Sequence, residues 1–206
     1  MKIKQKMFLL YVSLIIIVFI STTQSLAKID METCVGIWTF DKGDGEDAED
    51  YSQYGNNGQL IGKPKWTEGK FEQALSLNGI DQWVQVPDSE SLRVTDAVTV
   101  MAWIKPQRYT FPGHDWQGVL AKANNPRSYS LYTHTSERFL LAIHSAGQHC
   151  VGWSNGNGSP PLKEWSHVAA SGQEGDMKLF MNGSLTKETP LGTLKAFPGD
   201  FIRNLG

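Results

Sequence analysis

The stretch of residues 165–185 constrains the fold most, because it contains three strand-like runs separated by two short turns. The first run is residues 167–171, followed by a glycine-containing turn. The second run, residues 177–181, reads Met-x-Leu-x-Met, and residues that alternate in this way share one face of a strand. Asn182 and Gly183 then supply two positions that accept a positive φ, the strongest short hairpin signal. Strands joined by such short turns pair antiparallel, so this stretch predicts a β-meander.

Similar strand-like runs occur along most of the chain. Residues 98–105 are apolar at successive positions and not only at alternate ones, which is typical of a central strand that is covered on both faces. Phe180 interrupts the polar face of the second meander strand, so we expect that face to be covered as well. Short strands with frequent turn signals, and no helical period after residue 27, indicate an all-β sandwich.

Several of these segments resemble the laminin-G-like jelly rolls of the concanavalin A-like lectin/glucanase superfamily. Residues 165–185 are similar to the family pattern W-x-H-V-A…G…M-x-L-Y-x-N-G, with Phe180 in place of the usual Tyr. Residues 35–41 resemble G-x-W-x-F-D, and residues 50–58 resemble the turn D-x-S-x-x-G-N-x-G. The resemblance covers nearly everything from Val35 onward and implies an all-β, two-sheet antiparallel jelly-roll sandwich.

The family pattern normally continues with further strands and a short closing segment. This sequence stops at Gly206, near the point where the first of those strands should begin. We therefore expect a jelly-roll domain that is truncated at its C-terminus, lacks its last strands and leaves sheet edges unpaired.

The first 27 residues predict a cleaved signal peptide. A lysine-rich start precedes the apolar residues 7–20, and Ser-Leu-Ala at residues 25–27 is typical of a cleavage site. As a helix the apolar run would span roughly 21 Å, less than the ~30 Å core of a bilayer, although a membrane anchor is the alternative if the segment is not cleaved. Cleavage leaves residues 28–206 as one secreted or cell-surface domain.

The charge balance bears on possible partners. Residues 28–206 contain 16 basic and 21 acidic side chains, a formal net charge of −5. A mildly acidic domain is not expected to bind nucleic acid or an anionic membrane. Its two cysteines, Cys34 and Cys150, could form one disulfide bond in an oxidising compartment, or could be two separate buried thiols.

An acidic loop near the N-terminus offers oxygen ligands of the kind that Ca²⁺ prefers. Asp41, Asp44 and Asp50 are the candidate ligands. The spacing differs from that of an EF-hand, and a solvated acidic loop is the alternative interpretation. We predict no other cofactor.

Two regions of the sequence concentrate aromatic rings and polar side chains, which is what flat ligands such as saccharide rings use. The candidate ligand-binding residues are Tyr109, His114, Asp115, Trp116, Trp153 and Asn155. These aromatic residues could instead serve loop packing. Trp38, Trp66, Trp103 and Trp165 lie in strand or motif positions, where we expect core tryptophans.

Catalytic motifs of the related glucanases are missing from the sequence. It contains neither the E-x-D-x-x-E strand nor a G-x-S-x-G nucleophile elbow. The sequence therefore predicts a non-catalytic recognition module that binds an extracellular carbohydrate or protein ligand. The alternatives are a glycan-active enzyme of the same superfamily and a structural module of a larger adhesin.

Overall fold

A computed structural model describes residues 29–110, 115–122, 128–134, 138–145, 148–155, 159–173, 176–189 and 201–202. Within these ranges, the side chains of residues 138–145, 148–155, 189 and 201–202 lie outside the description. The chain divides into two units, residues 1–31 and residues 32–206, and all of the strands belong to the second. The domain boundary predicted between residues 27 and 28 lies outside the described residues and stays a prediction.

Strands make up nearly all of the regular structure in the described residues, as the sequence predicts. They are β1 (Asp47–Ala48), β2 (Gly58–Ile61), β3 (Lys65–Glu68), β4 (Gln73–Ser76), β5 (Trp83–Val86), β6 (Ala97–Ile104), β7 (Trp116–Lys122), β8 (Tyr129–His134), β9 (Arg138–Ser145), β10 (Gln148–Asn155), β11 (Ser166–Gln173), β12 (Asp176–Met181), β13 (Ser184–Thr189) and β14 (Phe201–Ile202). A single 3₁₀ turn, Glu90–Leu92, precedes β6. Among the residues that the structure describes, no helix has the length and apolar character needed to cross a bilayer.

The strands form two main sheets and one hairpin. The larger sheet has eight strands in the order β1-β2-β5-β14-β7-β8-β9-β10. The smaller has four, in the order β13-β12-β11-β6, and β3 pairs with β4 separately. All of the described strand pairs are antiparallel. The predicted all-β class with antiparallel sheets is thus confirmed.

The predicted meander is the main part of the four-stranded sheet. Met177 and Leu179 of β12 are fully buried, as their alternation predicts. Asn182 and Gly183 have φ values of 50° and 79°, so the turn between β12 and β13 uses the two positive-φ positions that the sequence offers. Two central residues with positive φ fit the right-handed twist of the flanking strands, which explains the tight hairpin.

The core is formed by residues from both main sheets. Its members are buried side chains of β5, β6, β8, β11 and β12 together with Leu92 of the 3₁₀ turn: Val86, Leu92, Val98, Val100, Tyr129, Leu131, Val168, Ala170, Met177 and Leu179. Burying each large aliphatic side chain contributes about 1.5–3 kcal/mol of transfer free energy. The face of each sheet that points away from these residues is its outer face, and on β8 this face is covered too, since Ser130 and Tyr132 are 0% and 2% exposed.

The position of β6 corrects the prediction of a central strand. Within the described residues β6 pairs with β11 alone and lies at the end of the four-stranded sheet. Its outward side chains Met101 and Trp103 are 47% and 40% exposed. The strand is apolar on both faces for two reasons. One face packs in the core, and the other forms part of an exposed apolar surface. Phe180 of β12 is half-buried, so the cover expected over its face is partial there and does not extend to Met101 and Trp103.

Candidate functional site

An aromatic cluster lies on the outer face of the eight-stranded sheet, where β7 begins and β8 ends. Trp116 pairs with His134, and their ring centroids are 4.2 Å apart with the planes at 60°. Trp116 also meets Tyr132, at 6.2 Å between centroids and 76° between planes. The Trp116 side chain is 38% exposed, so part of its ring faces solvent. Trp116, Tyr132 and His134 are called the Trp116 cluster below.

Strand alternation explains why these three residues meet. Leu131 of β8 belongs to the core, so Tyr132 lies on the opposite face, and His134 shares that face two residues later. On β7, Gly118 pairs with Tyr132 and follows Trp116 by two residues. A glycine at this position places no side chain beside Tyr132, which leaves room for the Trp116 ring.

The register extends this face across the sheet toward β10. Tyr132 pairs with Leu140 of β9, and Leu140 pairs with Asn155 of β10. Directly paired residues lie on the same face of an antiparallel sheet. Trp153 precedes Asn155 by two residues and so shares its face. The backbone register therefore assigns Trp153 and Asn155 to the same sheet face as the Trp116 cluster.

A second polar arrangement surrounds Asp50, which is 7% exposed. One carboxylate oxygen accepts hydrogen bonds from the backbone N–H groups of Ile37 and Ser52, at 2.7 and 2.9 Å. The other accepts from the Ser52 hydroxyl and the Asn56 N–H, both at 2.7 Å. Burial raises the pKa of Asp50, but the bonds from Ile37, Ser52 and Asn56 outweigh it and hold the pKa below its ordinary value.

Asn56 continues this network in three directions. Its side-chain amide donates to the carbonyl oxygen of Val35 at 2.8 Å and to the Ser91 hydroxyl at 2.9 Å. Its Oδ1 accepts from the Ser89 hydroxyl at 2.7 Å, and its carbonyl accepts from Trp38 Nε1 at 2.9 Å. Asp50 and Asn56, with these partners, are called the Asp50–Asn56 node. The node ties the N-terminal segment to the loop before β6.

The family is decided by a match that covers more than half of the chain. A model described as the concanavalin A-like lectin/glucanases superfamily (Laminin_G_3) matches residues 78–206. The chain belongs to this superfamily. The matched part contains every strand that contributes to the Trp116 cluster. Because the description covers both lectins and glucanases, membership is compatible with binding and with hydrolysis.

Solved structures of low sequence identity show the same fold. Domain 4 of AbnA, a GH43 extracellular arabinanase from Geobacillus stearothermophilus, in complex with arabinotriose, has a TM-score of 0.55 at 18% identity, with 81% of this chain and 80% of that chain covered. The binding domain of botulinum neurotoxin serotype D has a TM-score of 0.53 at 15% identity, covering 72% of this chain and 38% of that chain. No curated protein sequence matches.

This jelly roll brings together only part of the predicted ligand-binding set. Trp116 is exposed, and Asp115 is exposed immediately before it. Trp153 and Asn155 lie on β10 of the same sheet, with side chains outside the description, and His114 lies outside the described residues. Their binding role stays a prediction.

The surroundings of Tyr109 favour loop packing, the alternative interpretation of the loop aromatic residues. Its side chain is buried, and its hydroxyl donates to the carbonyl oxygen of Pro160. Its own carbonyl accepts a hydrogen bond from the Gln117 side chain at 2.7 Å. These bonds tie the segment after β6 to β7 and to the loop before β11. Its burial and these bonds favour a loop-packing role, and the predicted ligand contact of Tyr109 stays a prediction.

Sequence reasoning missed Tyr132 and His134 as members of the site. Both lie in a run that the sequence predicts as a strand, and their period of two places them on one face. That period does not show which face is outward or which strand lies beside it. The pairing of β7 with β8 is what places Trp116 beside these two residues.

The predicted calcium ligands do not converge. Asp41 and Asp44 are exposed, whereas Asp50 uses both carboxylate oxygens within the node. In the described ranges no group of three or more His, Cys, Asp or Glu side chains is placed to hold a metal ion. Calcium binding stays a prediction.

Of the two alternatives for Cys34 and Cys150, the disulfide bond is not found in the structure. Cys34 is a free thiol, and its Sγ donates to the carbonyl oxygen of Gly36 at 3.7 Å. The side chain of Cys150 lies outside the description.

The expected core tryptophans divide into different environments. Trp38 packs against the core, and its Nε1 bond to Asn56 explains why it is held there. Trp66 and Trp165 are half-buried. Trp103 lies on the outer face of the four-stranded sheet and is exposed, which contradicts the expectation. A tryptophan in a strand motif is thus not by itself a core residue.

Proposed function

We propose that this chain is a non-catalytic carbohydrate-binding module that works outside the cell or at its surface. The carrying observation is the half-exposed Trp116 ring, supported by His134 and Tyr132 on the outer face of a rigid sheet. The module binds a saccharide by stacking one sugar ring on Trp116. Aromatic rings with a few convergent polar groups are the usual lining of such sites.

The supporting residues make Trp116 a suitable platform. Contacts with His134 at 4.2 Å and Tyr132 at 6.2 Å restrict the rotation of the indole, so little conformational entropy is lost when a sugar binds. Asp115, exposed beside it, provides a carboxylate that accepts hydrogen bonds from sugar hydroxyl groups. By backbone register, the positions of Trp153 and Asn155 on β10 belong to the same face of this sheet.

The choice of sugar is guided by one structural relative. Domain 4 of AbnA was solved in complex with arabinotriose. At 18% identity this likeness supports the fold and suggests only which sugars to test first. We place arabino-oligosaccharides first in the panel, followed by β-glucans and other neutral plant and bacterial polysaccharides.

The non-catalytic role is supported by the missing E-x-D-x-x-E pattern, since a glucanase of this superfamily needs paired carboxylates on one strand. Export is supported by the basic and then apolar character of residues 1–27. Both parts of the proposal can be tested, by reducing-end release on the same polysaccharides and by mass spectrometry of the mature N-terminus.

The binding test is isothermal titration of the purified protein with the oligosaccharide panel, with and without Ca²⁺. We expect saturable binding of at least one neutral saccharide and loss of that binding in Trp116→Ala. Tyr54→Ala is the matched control, because it removes an exposed aromatic ring from the loop before β2, outside the Trp116 cluster. Binding that is equally strong in Trp116→Ala, or no binding to any saccharide, would overturn the proposal and leave the protein-ligand alternative.

A further inference from the structure

The outer face of the four-stranded sheet carries an exposed apolar row. Met101 of β6 pairs with Ala169 of β11, which pairs with Phe180 of β12, which pairs with Leu185 of β13. Paired residues share a face, so the row crosses all four strands. The two ends of the row are exposed, Leu185 by 50% and Met101 by 47%.

An aromatic corner lies beside this row. Trp103 pairs with His167, and their ring centroids are 5.3 Å apart. Phe71, in the turn between β3 and β4, meets Trp103 at 5.7 Å with the planes at 88°. Phe71 is 76% exposed. The two rings form an L-shaped corner that is open to solvent, and the sequence alone did not indicate it.

Two lysines accompany the tryptophans of this face. Lys70 Nζ lies 5.2 Å from the Trp103 ring centroid, and Lys105 Nζ lies 5.9 Å from that of Trp165. Trp165 immediately precedes β11 and Lys105 immediately follows β6, so this second lysine–tryptophan pair lies at the end of the two strands that hold the Trp103–His167 pair. We call Trp103, Trp165, Phe71, Lys70 and Lys105 the Trp103 face.

The charges of this face are unbalanced. Lys178, on the same side of the sheet, is paired with Asp176 at 2.5 Å and with Glu188 at 3.5 Å. Within the described residues, the ammonium groups of Lys70 and Lys105 have no such carboxylate partner, and each lies over a tryptophan ring. A cation–π contact at an exposed site stabilises by only about 0.5–1 kcal/mol, so both ammonium groups remain ready to bind an anion.

We propose that the Trp103 face is a second binding site, for an anionic saccharide that carries carboxylate or sulfate groups. Sugar rings stack on the two indoles, and their acidic groups accept hydrogen bonds from the ammonium groups of Lys70 and Lys105. The site is independent of the Trp116 cluster, which lies on the other sheet. An acidic protein would need carboxylates in the same spacing, whereas a polyuronate or sulfated chain repeats ring and anion together, which matches two repeated lysine–tryptophan pairs.

The test measures binding of the purified protein to polygalacturonate, to dextran sulfate and to neutral dextran. We expect binding to at least one of the two acidic polymers, none to neutral dextran, and weakening as the salt concentration rises, because exposed charges are screened. The two acidic polymers separate carboxylate recognition from sulfate recognition. Lys70→Gln/Lys105→Gln should weaken binding roughly tenfold or more, since hydrogen bonds to charged groups are strong.

Matched variants keep the test independent of stability and of the first site. Lys187→Gln removes an exposed lysine whose register partner is the core residue Leu179, and it should leave Kd unchanged. Trp116→Ala should also leave Kd unchanged, so the two sites can fail separately. Equal binding by the double variant and the parent protein, or binding to neither acidic polymer, would overturn the proposal. Lysine-dependent binding of polyglutamate alone would overturn it in favour of an acidic protein partner.

Discussion

The Asp50–Asn56 node and the Trp116 cluster are both built from residues distant in the sequence, yet they treat their functional groups in opposite ways. In the node, each carboxylate oxygen of Asp50 accepts two hydrogen bonds and the Asn56 side chain makes three. In the cluster, the Trp116 ring is supported by two neighbours and is still 38% exposed. A polar group whose hydrogen-bonding positions are all occupied cannot bind a further partner without losing an existing hydrogen bond.

This difference separates stability from recognition. A buried carboxylate with satisfied hydrogen bonds holds segments together, and removing it strands donors that water cannot reach. A half-exposed ring costs little to remove, but it offers surface that a ligand can cover. We therefore expect substitutions in the node to change the free energy of unfolding and substitutions in the cluster to change ligand binding. The substitutions that follow test whether stability and ligand binding separate in this way.

The largest effect is expected from Asp50→Ala. The substitution leaves the half-buried N–H group of Ile37 and the buried N–H group of Asn56 without their acceptors, at about 1–3 kcal/mol each, so we expect about 3–5 kcal/mol of destabilisation in total. Urea unfolding followed by tryptophan fluorescence measures this. Asp44→Ala, in the same loop but exposed, is the control and should change stability by less than about 0.5 kcal/mol. Equal effects of the two would show that the node is not structural.

Asn56→Ala should have the next largest effect. It removes hydrogen bonds to Val35, Ser89 and Ser91, of which the backbone carbonyl of Val35 loses a donor at a half-buried site. We expect a loss of about 2–3 kcal/mol in the free energy of unfolding. The neighbour Asn57, exposed, accepts one bond from the Asp50 N–H at 2.8 Å, so Asn57→Ala should cost only about 1 kcal/mol. A reversed order would contradict this hydrogen-bond network.

The pH dependence of stability should report Asp50. Its pKa is lower in the folded protein than in the unfolded chain, so the folded state binds protons less readily. Its contribution is fully present above the ordinary carboxyl pKa near 3.8 and is lost as the pH falls through the lower folded value. Unfolding by urea at a series of acidic pH values should therefore show a steeper loss of stability for the parent protein than for Asp50→Asn. Parallel curves would show that Asp50 is not the group responsible.

Local pattern predicted the elements better than their neighbours. Alternation and the Asn182–Gly183 pair define β12 and its hairpin, because both signals lie within a few residues. The place of β14 between β5 and β7 depends on pairing Phe201 with Val86, more than 100 residues away, which no local period encodes. The same limit explains why Tyr132 was not recognised beside Trp116 and why β6 was expected at the centre of a sheet.

Trp116→Ala tests the recognition side of the comparison. Stacked aromatic residues at the centre of a binding site are common hot spots, so we expect Kd for the bound saccharide to rise roughly tenfold to thirtyfold, about 1.4–2 kcal/mol. The free energy of unfolding should change by less than about 1 kcal/mol, because the ring is already partly exposed. Titration and urea unfolding of the same preparation check both halves. A large loss of stability with an unchanged Kd would place Trp116 with the structural residues.

Tyr109→Phe provides the smallest test, and it concerns a residue that the sequence predicted as a ligand contact. The change removes only the hydroxyl that donates to the Pro160 carbonyl, while the buried ring keeps its packing. We expect a loss of about 1 kcal/mol in the free energy of unfolding, the usual net value of one hydrogen bond, with no change in saccharide Kd. If Kd rises while stability is unchanged, Tyr109 contacts the ligand after all. The expected result would mean that burial, and not residue type, determines whether a tyrosine or tryptophan contributes to stability or to ligand binding.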